Sequence, residues 1–485
     1  MSAIPVDLLI GGNFQPASNG NRFQRHNPIS GDVASSVAAA TLQDVHNAVE
    51  AAQKALPVWS ATGPTQRRAK LMAAADQLEK LAPQIIAAMQ AEIGATQIWA
   101  EFNIRLSANI LREAAAITTQ IDGQILPSDV PGSLSMAVRQ AAGVCLGIAP
   151  WNAPLILGVR SIAMPLACGN TVVMKASEKA PATQQLIAAA LTAAGLNNGE
   201  VNVISNAPAD AANTVEALIS HPHVRRINFT GSTQVGRIIA QLAAKELKPV
   251  LLELGGKAPF LVLDDADIDA AVAAAAFGSF ANQGQICMST ERLIVDESIA
   301  DEFAQKLADK ASSLPTGDPR KGPVVIGSLV EPEAATRVMQ LVDDALAKGA
   351  QVLTGHRAQG SIMEATVVDR VTPEMRLYSE ESFGPVASII RVSGTEEAIK
   401  VANDSEFGLS SAVFSRDFSK AQAVAGQIQS GMCHINGPTV HDEAQAPFGG
   451  TKSSGYGRFG GKAGIEEFTE TRWVTVQSGE RHYPF

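Results

Sequence analysis

Between Val144 and Glu253 short apolar runs alternate with stretches of helical spacing, and this alternation restricts the fold more than any other feature of the chain. The runs at 144–148, 171–174, 201–204, 226–229 and 250–253 read as strands, with helices at 181–194 and 232–244 between them. Strands separated by helices imply βαβ units and a parallel sheet. Such a sheet takes its ligands beyond the carboxyl ends of its strands. The segments at those positions are Pro150-Trp151-Asn152, Lys175-Ala176-Ser177-Glu178, Thr230-Gly231-Ser232 and Leu254-Gly255-Gly256.

Residues 258–436 repeat the alternation, so a second α/β unit is expected. Residues 41–119 read as helices, starting on Thr41 with Asp44 in the first turn and interrupted near Pro57, Pro64 and Pro83. Strand patterns around 134–141 and 468–477 are left over at either end of the alternating core. They suggest a separate small sheet that pairs with another subunit, because an unpaired edge strand is a liability.

A length of 485 residues, 46% of them hydrophobic and 18% charged, suits a soluble protein of two or three domains. The net charge of −10 argues against nucleic acid or an anionic membrane surface as partner. Cys145, Cys168, Cys287 and Cys433 are scattered, with no CxxC pair and no zinc spacing, which fits a reducing compartment. None of the eight histidines forms a metal-spaced pair, so no metal is expected, and His434 and His441 read as packing or surface residues. The amino terminus shows no secretion signal, and no apolar window reaches the ~18 residues of a membrane helix. The expectation is a soluble, cytoplasmic protein.

Cys287 lies in Asn282-Gln283-Gly284-Gln285-Ile286-Cys287-Met288-Ser289, between an Ala-rich helical segment (271–280) and a strand pattern (292–295). A cysteine on a polar, glycine-containing loop is either a nucleophile or a small buried hydrophobe. Glu253 ends an apolar strand, where burial would raise its pKa toward general-base use; the alternative is a structural acid satisfied by backbone N–H groups. Asn152 offers an uncharged donor of the type an oxyanion hole requires, or is an asparagine favoured by turn chemistry. In Phe229-Thr230-Gly231-Ser232-Thr233-Gln234-Val235-Gly236, Ser232 can cap a helix whose free N–H groups would take a phosphate. A tight βα turn explains the same residues. Lys175 and Glu178 could receive the hydroxyls of an adenosine ribose and repel a 2′-phosphate, or form a solvated pair in a loop.

Together these pieces resemble the aldehyde dehydrogenase superfamily over essentially the whole chain. Pro-Trp-Asn at 150–152, Lys-x-x-Glu at 175–178, Phe-Thr-Gly-Ser at 229–232, Glu-Leu-Gly-Gly-Lys at 253–257, Gly-Gln-x-Cys at 284–287, Glu-x-Phe-Gly-Pro at 381–385 and Pro-Phe-Gly-Gly at 447–450 occur in family order. The resemblance implies a Rossmann-like cofactor domain (1–122 and 143–253), an α/β catalytic domain (254–450) and a small β oligomerisation sheet (123–142 and 451–485). It makes Cys287 the nucleophile, Glu253 the general base, and Asn152 with the Cys287 backbone N–H the oxyanion hole. Trp151, Lys175, Glu178, Ser232 and Leu254 would bind NAD, with Glu381 on the nicotinamide ribose and Phe383 packing nearby. Thiolate addition, hydride transfer and hydrolysis of a thioester would follow. CoA-acylating relatives typically lack the acid at position 253, so its presence favours hydrolysis. A homodimer or homotetramer is implied.

For the substrate, Ala153 stands where many relatives carry a bulky Phe and leaves room for a ring. Arg160, on the helical segment that follows, would hold a carboxylate or pair a phenolate. Trp99, Met288, Val440, His441 and Phe448 are expected to line the rest of the tunnel. The chain most resembles the aromatic branch, the salicylaldehyde and vanillin dehydrogenases, so salicylaldehyde-type substrates come first. A semialdehyde held by its carboxylate on Arg160 is the alternative. A cofactor-free cysteine hydrolase would require a histidine base, and none lies near Cys287 in sequence. An inactive relative is disfavoured by the presence of both Cys287 and Glu253.

Overall fold

The structure, a computed structural model, describes residues 3–485. Its first sheet has eight strands in the order Gly455–Tyr456, Val250–Glu253, Val224–Thr230, Val144–Ile148, Thr171–Lys175, Val201–Ile204, Leu8–Ile10 and Asn13–Gln15. The five strands expected from the sequence form its parallel centre. Their residues alternate between two cores: Val144, Leu146 and Ile148 face one side, and Cys145, Val172 and Met174 the other. The chain enters at Val144–Ile148, adds two strands on one side, then crosses to add two on the other. That reversal opens a crevice beyond Val144–Ile148 and Val224–Thr230, the place where such sheets bind ligands.

The helices of residues 41–119 cover this sheet. Leu42–Ala61 begins with a capping box, in which Asp44 N–H donates to Thr41 Oγ1 at 3.2 Å and Thr41 N–H to Asp44 Oδ2 at 2.9 Å. Pro64 and Pro83 stand in the first turns of Pro64–Lys80 and Ala82–Ile93, where the missing N–H costs nothing. The break expected at Pro57 does not occur: Pro57 lies inside a continuous helix. It sits on the exposed face, so the carbonyl it leaves without a donor can be hydrated.

The second sheet has seven strands, in the order Gln351–Thr354, Thr366–Asp369, Val386–Val392, Thr290–Asp296, Ala258–Val262, Ser410–Phe414 and Met432–Ile435. All its pairings are parallel except the one made by Gln351–Thr354 at the edge. Helix Ile268–Phe280 leads into the loop of Cys287, and strand Thr290–Asp296 leaves it. The two leftover strands pair antiparallel with each other, Ser133–Ala141 against Thr469–Gln477, with Gln124–Leu126 on the far side of Ser133–Ala141. This small sheet leaves Trp473 73% and Ile125 78% exposed. Among the described residues no helix is long and apolar enough to cross a membrane.

Candidate active site

The Cys287 loop begins with three consecutive left-handed residues: Asn282 (φ +47°), Gln283 (φ +56°) and Gly284 (φ +70°). For Asn and Gln this conformation costs on the order of 1–3 kcal/mol and persists only where the surroundings over-determine it. Here they do. Asn282 Nδ2 donates to Asn152 O at 3.0 Å, and Gln283 bridges Ser328 O and Gly327 N, each at 3.0 Å. Gln285 Oε1 accepts from Val330 N at 2.9 Å, Ser289 Oγ donates to Gly284 O at 3.0 Å, and Thr439 Oγ1 donates to Met288 O at 2.7 Å. The loop therefore holds half-buried Cys287 on a rigid frame.

Glu253 reaches this loop from the first sheet. Its neighbours Gly255 and Gly256 permit the close approach: a Cβ on Gly256 would stand 2.3 Å from Cys287 O, and one on Gly255 2.9 Å from Glu381 Oε2. Glu253 is 1% exposed, and among the described residues neither carboxylate oxygen has a hydrogen-bond partner. Burial pushes its pKa up to about 7, against the opposing pull of the Cys287 thiol and the Arg160 cation. The thiol is pushed well above its ordinary value, by burial first and then by the Glu253 and Glu381 carboxylates. The two groups act on each other electrostatically without a hydrogen bond of good geometry. An unpartnered buried carboxylate beside a protonated thiol is arranged to take up a proton.

Asn152 is 6% exposed and is fixed by its surroundings. Its backbone oxygen accepts from Trp99 Nε1 at 3.0 Å, and its Nδ2 donates to Gln285 O at 3.0 Å, which uses one of its two N–H bonds. Asn152 and Cys287 line one cavity of about 730 Å³. All seven residues expected to contact substrate line it too: Trp99, Ala153, Arg160, Met288, Val440, His441 and Phe448. Sequence reasoning missed Asp442, Ile156, Leu157, Phe277 and Phe280 on the same walls. Asp442 is the consequential omission. Its oxygens accept from Arg160 Nη2 at 2.8 and 2.6 Å, with the Arg160 guanidinium 4.3 Å from the Phe448 ring centre. The acid lies 282 residues from its partner, and no local pattern announces the pair.

On the other side of Cys287, the sheet crevice gathers the remaining expected residues. Ser232 caps helix Thr233–Lys245 through Val235 N–H at 3.4 Å, and Leu254 packs where a Cβ on Gly236 would lie, 2.4 Å from its Cδ2. Lys175 Nζ contacts Glu178 Oε1, which also accepts from Asn206 Nδ2 at 3.0 Å. Trp151 meets Phe383 edge-to-face at 5.8 Å. Glu381 Oε1 accepts from Gly256 N–H at 2.9 Å; burial and the nearby Glu291 carboxylate raise its pKa to about 7. Glu291, ion-paired to buried Lys257 at 2.6 Å, accepts from the N–H groups of Ser382 and Phe383 and so holds that segment in place.

The Aldehyde dehydrogenase family profile matches residues 14–474. Vanillin dehydrogenase of Pseudomonas fluorescens is 61% identical over 99% of this chain and 100% of its own. The crystal structure of salicylaldehyde dehydrogenase from Pseudomonas putida G7 complexed with salicylaldehyde superposes with a TM-score of 0.98 at 50% identity, covering 99% of this chain and 100% of that one. Betaine aldehyde dehydrogenase of Staphylococcus aureus, solved in complex with NAD+, gives a TM-score of 0.93 at 31% identity over 98% and 95% of the two chains. With Cys287, Glu253 and Asn152 brought together from three separate segments, the chain belongs to the aldehyde dehydrogenase family and is an oxidoreductase acting on aldehydes.

Proposed function

We propose that the protein oxidises an aromatic aldehyde of the salicylaldehyde type to its acid, with NAD as hydride acceptor and a covalent adduct on Cys287. The observation that carries this reading is the unpartnered Glu253 carboxylate beside the Cys287 thiol, on a cavity with mostly apolar walls.

The thiol is protonated at rest, so the first task falls to Glu253, which accepts the Cys287 proton. The thiolate then adds to the aldehyde carbon, and the developing oxyanion takes the free N–H of Asn152 and the Cys287 backbone N–H. When bound, NAD supplies the hydride acceptor and a cationic ring that favours the thiolate. Loss of hydride leaves a thioester on Cys287. Glu253 releases the thiol proton to solvent, takes a proton from the attacking water as the water oxygen bonds to the acyl carbon, and the thiolate departs as the acid is released.

The crevice suits a dinucleotide. The capped helix at Ser232 offers N–H groups to a pyrophosphate. Lys175 and Asn206 occupy one oxygen of Glu178, which leaves the other for a ribose hydroxyl and opposes a 2′-phosphate. Glu381 and Phe383 would hold the nicotinamide end. Residues 1–122 with 143–253 would form the cofactor domain and 254–450 the catalytic domain. The exposed apolar residues of the small sheet suit pairing with further copies in a dimer or tetramer.

Two features favour an aromatic substrate over a carboxylate-bearing semialdehyde. Ala153, Ile156, Leu157, Met288, Val440 and Phe448 give the cavity apolar walls, and Arg160 is already neutralised by Asp442. The guanidinium can still donate to a phenolic oxygen. A histidine-assisted hydrolase is not favoured, because His441 is engaged with Glu443 at 3.0 Å and it is Glu253 that acts on Cys287.

NADH formation should be followed with salicylaldehyde, vanillin, benzaldehyde and succinic semialdehyde, each with NAD and with NADP. The proposal expects kcat/KM for the aromatic aldehydes to exceed that for the semialdehyde at least about tenfold, a difference one well-placed contact can produce. The reverse order would overturn it.

A further inference from the structure

Sequence spacing shows no metal-binding set, but the fold assembles one far from Cys287. His46 and Glu50 stand one turn apart on helix Leu42–Ala61, and His221 directly follows helix Ala211–Ser220. His46 Nδ1 lies 3.0 Å from His221 Nε2, and Glu50 Oε1 lies 3.7 Å from the same nitrogen. The three donor atoms fall within 4.8 Å of one another. Two ligands of a tetrahedral zinc ion, each at 2.0–2.1 Å, stand about 3.3 Å apart, midway between the two separations observed. We propose that His46, Glu50 and His221 bind a divalent ion of the zinc class, with water completing the coordination.

The surroundings support this assignment. His223 Nε2 is 3.4 Å from Glu50 Oε1 and orients the carboxylate. The turn carrying His221 is pinned by Lys248, whose Nζ donates to His221 O at 2.7 Å and to Ile219 O. Two imidazoles and a carboxylate form a donor set suited to zinc, whereas calcium and magnesium prefer oxygen alone.

In the metal-free protein His221 Nδ1 accepts from His223 N–H at 3.3 Å, so the His221 proton sits on Nε2 and is shared with His46. Metal binding at Nε2 moves that proton to Nδ1 and gives up the long Nδ1 contact; because the ion competes with protons for the imidazole nitrogens, affinity rises with pH. The ion would tie helix Leu42–Ala61 to the turn before strand Val224–Thr230, at the strand end opposite Thr230 and Ser232. Its consequence is therefore stability rather than chemistry.

The test is titration of the full-length protein with ZnCl₂ by calorimetry at pH 6 and pH 8, repeated for His46→Gln and Glu50→Gln. Both substitutions lie on the outer face of a helix, and unchanged kcat will show that the variants are folded. A Co²⁺ spectrum separates this site from zinc on the Cys287 thiolate, since nitrogen and oxygen ligands give visible bands without thiolate charge transfer. The expected result is one site per chain, tighter at pH 8, weakened at least tenfold in each variant, with a melting temperature that rises with zinc in the wild type alone. Equal zinc affinity in wild type and variants, or no binding up to millimolar zinc, would leave only a histidine–histidine hydrogen bond and overturn the proposal.

Discussion

Arg160 holds both oxygens of Asp442, at 2.8 and 2.6 Å, and the two side chains are only 6% and 8% exposed. A guanidinium that looks free in the sequence is thus neutralised before any substrate arrives, and it draws both the Glu253 carboxyl and the Cys287 thiol toward ionisation. This one ion pair links the cavity wall to the candidate catalytic groups.

Removing one partner strands the other. Arg160→Ala should cost about 3–5 kcal/mol by leaving Asp442 buried and unpaired, whereas Arg160→Met combined with Asp442→Leu should recover most of that loss. Urea denaturation of the three proteins measures this directly. In a folded Arg160→Ala enzyme KM should rise for salicylaldehyde much more than for benzaldehyde. Equal rises would remove Arg160 from recognition of the ring hydroxyl.

Glu253 must be ionised to accept a proton, and its pKa lies at about 7. Turnover limited by thioester hydrolysis should therefore climb as pH rises through 7 and level off above it. Glu253→Gln should abolish that limb and lower kcat by about 10²–10⁴, the usual contribution of a general base. Because Glu253 also takes the Cys287 proton, the pre-steady-state burst of NADH should slow in this variant as well.

The same carboxyl should imprint stability. Its folded pKa of about 7 stands above the ordinary value of 4.5. Below pH 4.5 the folded and unfolded chains both carry the proton, and this group imposes no penalty. As pH rises from 4.5 to 7 the unfolded chain ionises first, so stability is lost, and above 7 the loss is constant. The stability difference between Glu253→Gln and wild type should shift by about 3 kcal/mol in favour of the variant between pH 4 and pH 8. A difference independent of pH would contradict the raised pKa.

Glu178 is expected to set the cofactor preference. With one oxygen taken by Lys175 and Asn206, its remaining charge opposes a 2′-phosphate. Glu178→Gln should lower KM for NADP by at least about tenfold while raising that for NAD, a change of about 1.4 kcal/mol in each direction. Steady-state kinetics with both cofactors decides it.

Gly256→Ala should damage catalysis without unfolding the protein. The added Cβ would stand 2.3 Å from the Cys287 carbonyl oxygen, so the loop must move. Misplacing the nucleophile by about 1 Å costs about 10²-fold in rate. Circular dichroism should be unchanged while kcat falls.

The sequence by itself determined the two α/β units, because strands buried on both faces are apolar throughout and the helices between them repeat on their own period. It marked the candidate catalytic positions as well. Cys287, Glu253, Asn152 and the candidate cofactor residues sit at or just beyond strand ends or on short glycine turns, where local motifs are legible. Pro57 misled because local propensity is indifferent to which face of a helix meets water. Only the tertiary structure decided the partnerships between distant residues. Asp442 reaches Arg160, Trp99 fixes Asn152, and His221 meets His46 across gaps of 53 to 282 residues. Such contacts depend on where whole elements pack, and nothing in the local spacing of a chain encodes that.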